Sequence, residues 1–178
     1  MPSIAQKSTF VTVVAWVFIV LSGFGTLISL LQNLMIQTVF TSPEVVQAAQ
    51  GPAPPGAPPF AVFMLRHMVA VFVFFLLVQV LTLASSIGLL MRRNWARRLF
   101  IGVMAFGIVW NLGGLVLQFA MFSSMREQFA AIPDAPDMRA FFIGIAIVCV
   151  VFALGFSALF GWIAKRLMSP QVVAEFAR

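Results

Sequence analysis

Four apolar stretches, each without a proline, dominate this chain: Phe10 to Phe40, Phe60 to Met91, Trp95 to Phe122 and Ala140 to Ala164. Each meets or exceeds the ~20 helical residues that cross a hydrocarbon layer about 30 Å thick. In such a layer no water satisfies backbone N–H and C=O groups, so a spanning segment is a helix or part of a closed barrel. These runs lack the short alternating pattern of barrel strands. The expectation is an all-α integral membrane fold, a four-transmembrane-helix bundle forming one domain over residues 1–178.

Composition agrees with that solvent. Hydrophobic residues make up 62% and charged residues 9% of the chain, against about 45–50% and about 25% in soluble domains. Twenty Phe and ten Met accompany no Tyr. The first run is too long for the apolar core of a signal peptide, so it is expected to stay in the mature protein. Cys149 stands alone, which excludes disulfide frameworks, CxxC redox pairs and Cys-based zinc sites.

The net charge of +6 is read as topology rather than as a nucleic-acid footprint, and no nucleic-acid partner is expected. Lys7, Arg92, Arg93, Arg97, Arg98, Lys165, Arg166 and Arg178 fall on one side of an even-span threading. Arg66, Arg126 and Arg139 fall on the other, with Glu44, Glu127, Asp134 and Asp137. Positive residues concentrate in cytoplasmic loops, so both termini are expected in the cytoplasm of a cell with a bacterial-type inner membrane. Arg92, Arg93, Arg97, Arg98, Lys165 and Arg166 are candidates for contact with anionic lipid headgroups.

The connections carry their own signals. In residues 41–59, SPEVVQAAQ reads as a short helix with Ser42 as N-cap, Pro43 in its first turn and Gly51 past its end. GPAPPGAPP then reads as a stiff extended linker. The MRRNWARR loop is so short that the second and third spans must be antiparallel neighbours. In SSMREQFAAIPDAPDMR, the spacing of Met125, Phe129 and Ile132 predicts a short surface helix. Residues 169–178 repeat the capping pattern with Ser169 and Pro170, placing Val172, Val173 and Phe176 on one face. That segment is expected as a cytoplasmic interfacial helix, with packing against its own bundle as the alternative.

Aligning Gly25 with Gly107 superposes Phe18, Ile19, Phe24 and Leu30 on Phe100, Ile101, Phe106 and Leu112; aligning Gly88 with Gly161 superposes Arg92 and Arg93 on Lys165 and Arg166. The chain thus reads as two tandem helical hairpins, with chance matching among abundant Phe, Gly and Leu as the competing account.

No Asp or Glu lies in any apolar run. Proton-coupled antiport, aspartate-based intramembrane proteolysis and carboxylate-bridged metal centres all need one there. The expectation is therefore a non-enzymatic protein with no catalytic residues, no metal and no cofactor. Apart from Arg66 and His67 near one end of the second run and Arg97 and Arg98 at the start of the third, the polar residues are neutral, and they form stripes on single helical faces: Ser22, Thr26, Ser29, Asn33 and Gln37 in the first; Gln79, Thr82 and Ser86 in the second; Gly107, Asn111, Gly114 and Gln118 in the third. Ser29, Asn33, Gln37, His67, Gln79, Asn111 and Gln118 are the candidate lining of an outward-facing polar vestibule. The competing account is hydrogen bonding between helices, worth ~0.6 kcal/mol per contact on average, and for Asn33 and Gln37 a third is that they stand in water beyond the bilayer. His67, the single histidine, has no partners within one chain for a metal site and reads as interfacial, with a site shared across a homo-oligomer as the one alternative.

Ala153, Ser157 and Gly161, with Gly107 and Gly114, are candidate close-packing positions, since small residues let helices approach. Trp95 and Trp162 fit an interfacial aromatic belt, and Trp110 fits packing. The segments G-W-I-A-K-R-L-M-S-P-Q-V-V-A-E-F, Gly161 to Phe176, and R-R-N-W-A-R-R, Arg92 to Arg98, resemble those of small four-span bacterial inner-membrane proteins of uncharacterised activity. The resemblance implies a four-span topology and no particular chemistry. Three functions stay open: an accessory or scaffolding subunit, homo-oligomeric or joined to other membrane subunits; a channel or passive carrier; and a binder of lipid or another hydrophobic ligand in a Phe- and Met-rich groove. The lipid bilayer is the partner common to all three.

Overall fold

A computed structural model describes residues 9–39, 47, 51, 59–130 and 139–176. The described residues form helices α1 (Thr9–Val39), α2 (Pro59–Arg66), α3 (Met68–Leu90), α4 (Asn94–Ala130), α5 (Arg139–Leu167) and α6 (Pro170–Glu175), and no strand occurs among them. Helices α1, α3, α4 and α5 are long and apolar enough to cross a membrane. The expected short helix after Ser42 and Pro43 and the Pro-rich linker lie outside the described residues, apart from Gln47 and Gly51.

Two boundaries differ from the sequence expectation. The second apolar run is not one helix: it is divided at His67, whose φ of −111° and ψ of 20° depart from helical values. The helical hydrogen bonds nevertheless run through the turn, His67 N–H to the Phe63 carbonyl at 3.0 Å and Val71 N–H to the His67 carbonyl at 2.9 Å. The third run does not end near Phe122. Its helix continues to Ala130 over 37 residues, about 55 Å at ~1.5 Å per residue. Met125 and Phe129 therefore belong to α4 and not to a separate surface helix. Nothing between Ser123 and Ala130 is Gly or Pro, so no residue there disrupts the backbone bonding. Ile132 lies outside the described residues.

The α3–α4 connection is a compact hairpin. At the end of α3, the Arg92 N–H donates to the Leu89 carbonyl at 3.1 Å and the Arg93 N–H to the Gly88 carbonyl at 2.9 Å. These paired bonds make a Schellman cap, which needs a left-handed residue just past the helix. That residue is Arg92, at φ 58°, where glycine would be the unstrained choice. Immediately beyond the turn the two helices nearly touch: a Cβ on Gly88 would stand 2.5 Å from the Ala96 Cβ.

Packing follows chain order. Helix α1 lies on α3, α3 on α4, and α4 on α5. The four long helices share one apolar core only at the end carrying the arginine-rich hairpin, here called the basic end. That core joins Val11, Val14 and Ala15 of α1 to Leu89 of α3, Phe100 and Met104 of α4, and Ile163, Ala164 and Leu167 of α5. Most of the remaining apolar side chains face outward; Val109 and Val116 are 69% and 70% exposed.

Gly88→Ala is expected to lower the stability of the detergent-solubilised protein by about 1–3 kcal/mol, the usual range for overpacking. Gly102→Ala, where an added Cβ meets nothing within 4 Å, should be neutral or stabilising by up to ~1 kcal/mol through helix propensity. Thermal denaturation of the two variants side by side checks the contrast.

Candidate functional site

Beyond the shared core, the α1–α3 and α4–α5 pairs enclose a cleft of about 320 Å³. By helix rise it sits roughly 10–25 Å from the basic end. Its floor is set by Phe18, whose ring meets Phe100 edge-on with centroids 5.0 Å apart. Its walls include Phe75 of α3, Phe106 and Trp110 of α4, and Phe160 of α5. Phe75 and Trp110 meet edge-on at 5.0 Å, and Phe106 stacks with Trp110 at 6.1 Å. Such ring pairs hold their geometry by quadrupole attraction.

The polar residues of the cleft are Ser22, Gln79, Thr82 and Asn111. Three of them have committed a proton to their own helix. Ser22 Oγ donates to the Phe18 carbonyl, Thr82 Oγ1 to the Val78 carbonyl at 2.7 Å, and Asn111 Nδ2 to the Gly107 carbonyl at 2.8 Å. Gln79 differs. Its amide lies across Gly25 of α1, where an added Cβ would be 2.9 Å from Cδ and Oε1 and 3.0 Å from Nε2. Only a residue without a side chain leaves room for that amide. Gly107 plays the same part for the Phe160 ring, 2.9 Å from its would-be Cβ.

Of the seven candidate vestibule residues, the structure brings only Gln79 and Asn111 to this cleft. Ser29 and Asn33 are buried in the α1–α3 seam. Asn33 Nδ2 donates to the Ser29 carbonyl at 2.8 Å and across the seam to the Phe72 carbonyl at 3.0 Å. Gln118 Nε2 bonds Cys149 Sγ at 3.1 Å across α4–α5. Gln37 is exposed near the end of α1. His67 is exposed at the α2–α3 turn, its ring 4.6 Å from that of Phe63. The single vestibule thus divides into two helix seams, one cleft and two exposed residues, Gln37 and His67, and within the bundle each polar group faces whichever neighbour its helix packs on.

The close-packing candidates also divide. Ala153 is buried, and Gly161 lies against Ile108 of α4, 3.9 Å from the would-be Cβ, so this stripe serves the interior of the α4–α5 pair. The Ser157 hydroxyl between them is buried without a hydrogen-bond partner among the described residues. Gly114 has nothing within 4 Å of an added Cβ, so it makes no close approach here.

At the basic end, two candidate headgroup residues are half-buried and engaged by the protein. Arg92 forms an ion pair with Glu175 of α6 and donates to Thr12 Oγ1 of α1 at 3.2 Å. Arg97 donates to the Leu167 carbonyl at 3.2 Å, closing the end of α5. Both guanidinium groups stand 5.9 Å from the Phe176 ring centroid. Ser169 and Pro170 occupy the N-cap and first-turn positions of α6, although the Ser169 side chain makes no cap hydrogen bond. Val172 and Phe176 enter the shared core, which is the bundle-packing alternative for this segment. Arg93, Arg98, Lys165 and Arg166 remain exposed, with Arg166 placed 5.8 Å over the Phe10 ring.

Among the described residues no group of His, Cys, Asp and Glu could hold a metal ion, and the cleft lining contains no ionisable side chain. Comparison with protein-family models, curated proteins and solved structures finds no match for this chain.

A double-mutant cycle on Arg92 and Glu175 should return a coupling of about 1 kcal/mol, the upper end for ion pairs with some solvent access. Glu175→Ala alone is expected to destabilise the solubilised protein, and to have little further effect once Arg92 is alanine. Denaturation midpoints of the four proteins measure this.

Proposed function

We propose that this chain is a multi-pass protein of a bacterial inner membrane that binds a lipophilic molecule between its two helix pairs, without catalysing a reaction. The observation carrying the proposal is the 320 Å³ cleft, walled by aromatic rings and bearing a few neutral polar groups. Ligand sites are typically concave and mostly apolar, with a small number of placed hydrogen-bonding groups. The breadth of exposed apolar surface on α1, α3, α4 and α5 supports a lipid surrounding. The exposed Arg93, Arg98 and Lys165 support placing the basic end at the cytoplasmic face. On this reading the α1–α3 and α4–α5 pairs are the two tandem hairpins. The likeness of the Arg92–Arg98 and Gly161–Phe176 segments to small four-span inner-membrane proteins supports the same topology.

The accessory-subunit reading stands second. Gly102 and Gly113 of α4 and Gly155 of α5 have nothing within 4 Å of an added Cβ, so a helix of another subunit could approach those faces closely. A channel has less support, since Asn33 and Gln118 direct their amides into helix seams rather than toward a shared path.

Native mass spectrometry of protein extracted from its own membrane should show a retained lipophile. Val78→Trp, which fills the cleft, is expected to reduce its occupancy at least fivefold, and Val116→Trp on an exposed face should leave it unchanged. Equal occupancy in both variants would remove the cleft from consideration. Reporter tags at the two termini should both read cytoplasmic; opposite compartments would overturn the threading.

A further inference from the structure

We infer that the cleft selects an uncharged lipophile carrying a hydroxyl or carbonyl group, held by Gln79 and Asn111. This inference rests on the ligand-binding reading above and adds the chemistry of the ligand's head. The lining residues contain no ionisable side chain, and the cleft lies midway along helices of spanning length. A charged head brought to that depth would lose its hydration without gaining a counter-charge, which is unfavourable by several kcal/mol. Anionic phospholipids and ionised fatty acids are thereby disfavoured.

A purely hydrocarbon occupant is disfavoured by the amides. Gln79 makes no hydrogen bond to the described residues, and its amide is held against Gly25 at the edge of the cleft. Asn111 uses one amide proton on the Gly107 carbonyl, leaving its second amide proton as a donor and Oδ1 as an acceptor. Gln79 supplies both donors and an acceptor. The Ser22 and Thr82 protons are directed into their own helices, so those hydroxyls add only acceptor capacity. Together these groups suit a head that both donates and accepts, or that accepts alone from Gln79 Nε2. The Phe75, Trp110 and Phe160 rings then contact the adjoining hydrocarbon. A volume of 320 Å³ lies at the small end of ligand sites, so a head and the start of a chain fit, with the remainder leaving between the helix pairs.

The test uses the full chain in phosphatidylcholine nanodiscs and three chain-brominated probes that share one chain: dodecanol, dodecane and, at alkaline pH, dodecanoate. Bromine quenches tryptophan on contact, and Trp110 lines the cleft. The signal is the saturable quenching that disappears in Trp110→Phe. Dodecanol is expected to bind about tenfold tighter than either other probe, a difference of about 1.4 kcal/mol. Gln79→Leu should abolish that preference while leaving dodecane binding within twofold. Equal saturable binding of dodecane and dodecanol, or tighter binding of dodecanoate, would overturn the head-group inference and leave the cleft reading intact. Absence of saturable quenching by all three probes would overturn both. The comparison among probes on the unmodified protein decides the matter even if Gln79→Leu does not fold.

Discussion

Burial of apolar side chains at one end of the bundle organises everything else in this molecule. Val11, Val14 and Ala15 of α1 meet Leu89, Phe100, Met104, Ile163, Ala164 and Leu167 from the other long helices there. Farther from that end the packing is chiefly between successive long helices, α1 on α3, α3 on α4 and α4 on α5, and the buried apolar cluster that joins all four does not extend there. The cleft exists because the core stops at Phe18 and Met104, and its position at mid-helix follows from that stopping point.

The basic hairpin holds this end together through an unusual local choice. A Schellman cap requires a left-handed residue, and an arginine in that conformation carries a backbone penalty of order 1 kcal/mol or more. The same placement brings the Arg92 guanidinium to Glu175, Thr12 and the Phe176 ring. Interactions with α1 and α6 thus offset the local strain. Helix α6 is correspondingly drawn into the bundle, with Phe176 between Arg92 and Arg97. Basic residues that a topology argument assigns to lipid headgroups are in part internal fasteners.

Much of the architecture was legible in the residues. Uninterrupted apolar runs marked four long helices, and periodicity placed Ser22, Thr26, Ser29, Asn33 and Gln37 on one face of α1, of which Ser22, Ser29 and Asn33 are buried and Gln37 is exposed. The Ser-Pro pair at 169 and 170 marked the start of α6. The turn at His67 was not legible, because neither Gly nor Pro announces it. The continuation of α4 to Ala130 is not legible because polarity after Phe122 resembles a loop, whereas polar Arg, Glu and Gln are good helix formers and no Gly or Pro interrupts the segment. The pairing of Gln79 with Gly25 was also invisible, since it depends on how α1 and α3 are rotated against each other.

Residue order alone determined that this chain forms long apolar helices, that positive charge gathers at one end, and that no Asp or Glu lies in the apolar runs. Those properties are carried by each segment separately. Only the tertiary structure decided that Gln79 and Asn111 share a cleft while Asn33 and Gln118 close helix seams. A helical repeat specifies which face of its own helix a side chain occupies, but the neighbour opposite that face is chosen by the crossing and rotation of two packed helices, and those are set jointly by the core at the basic end.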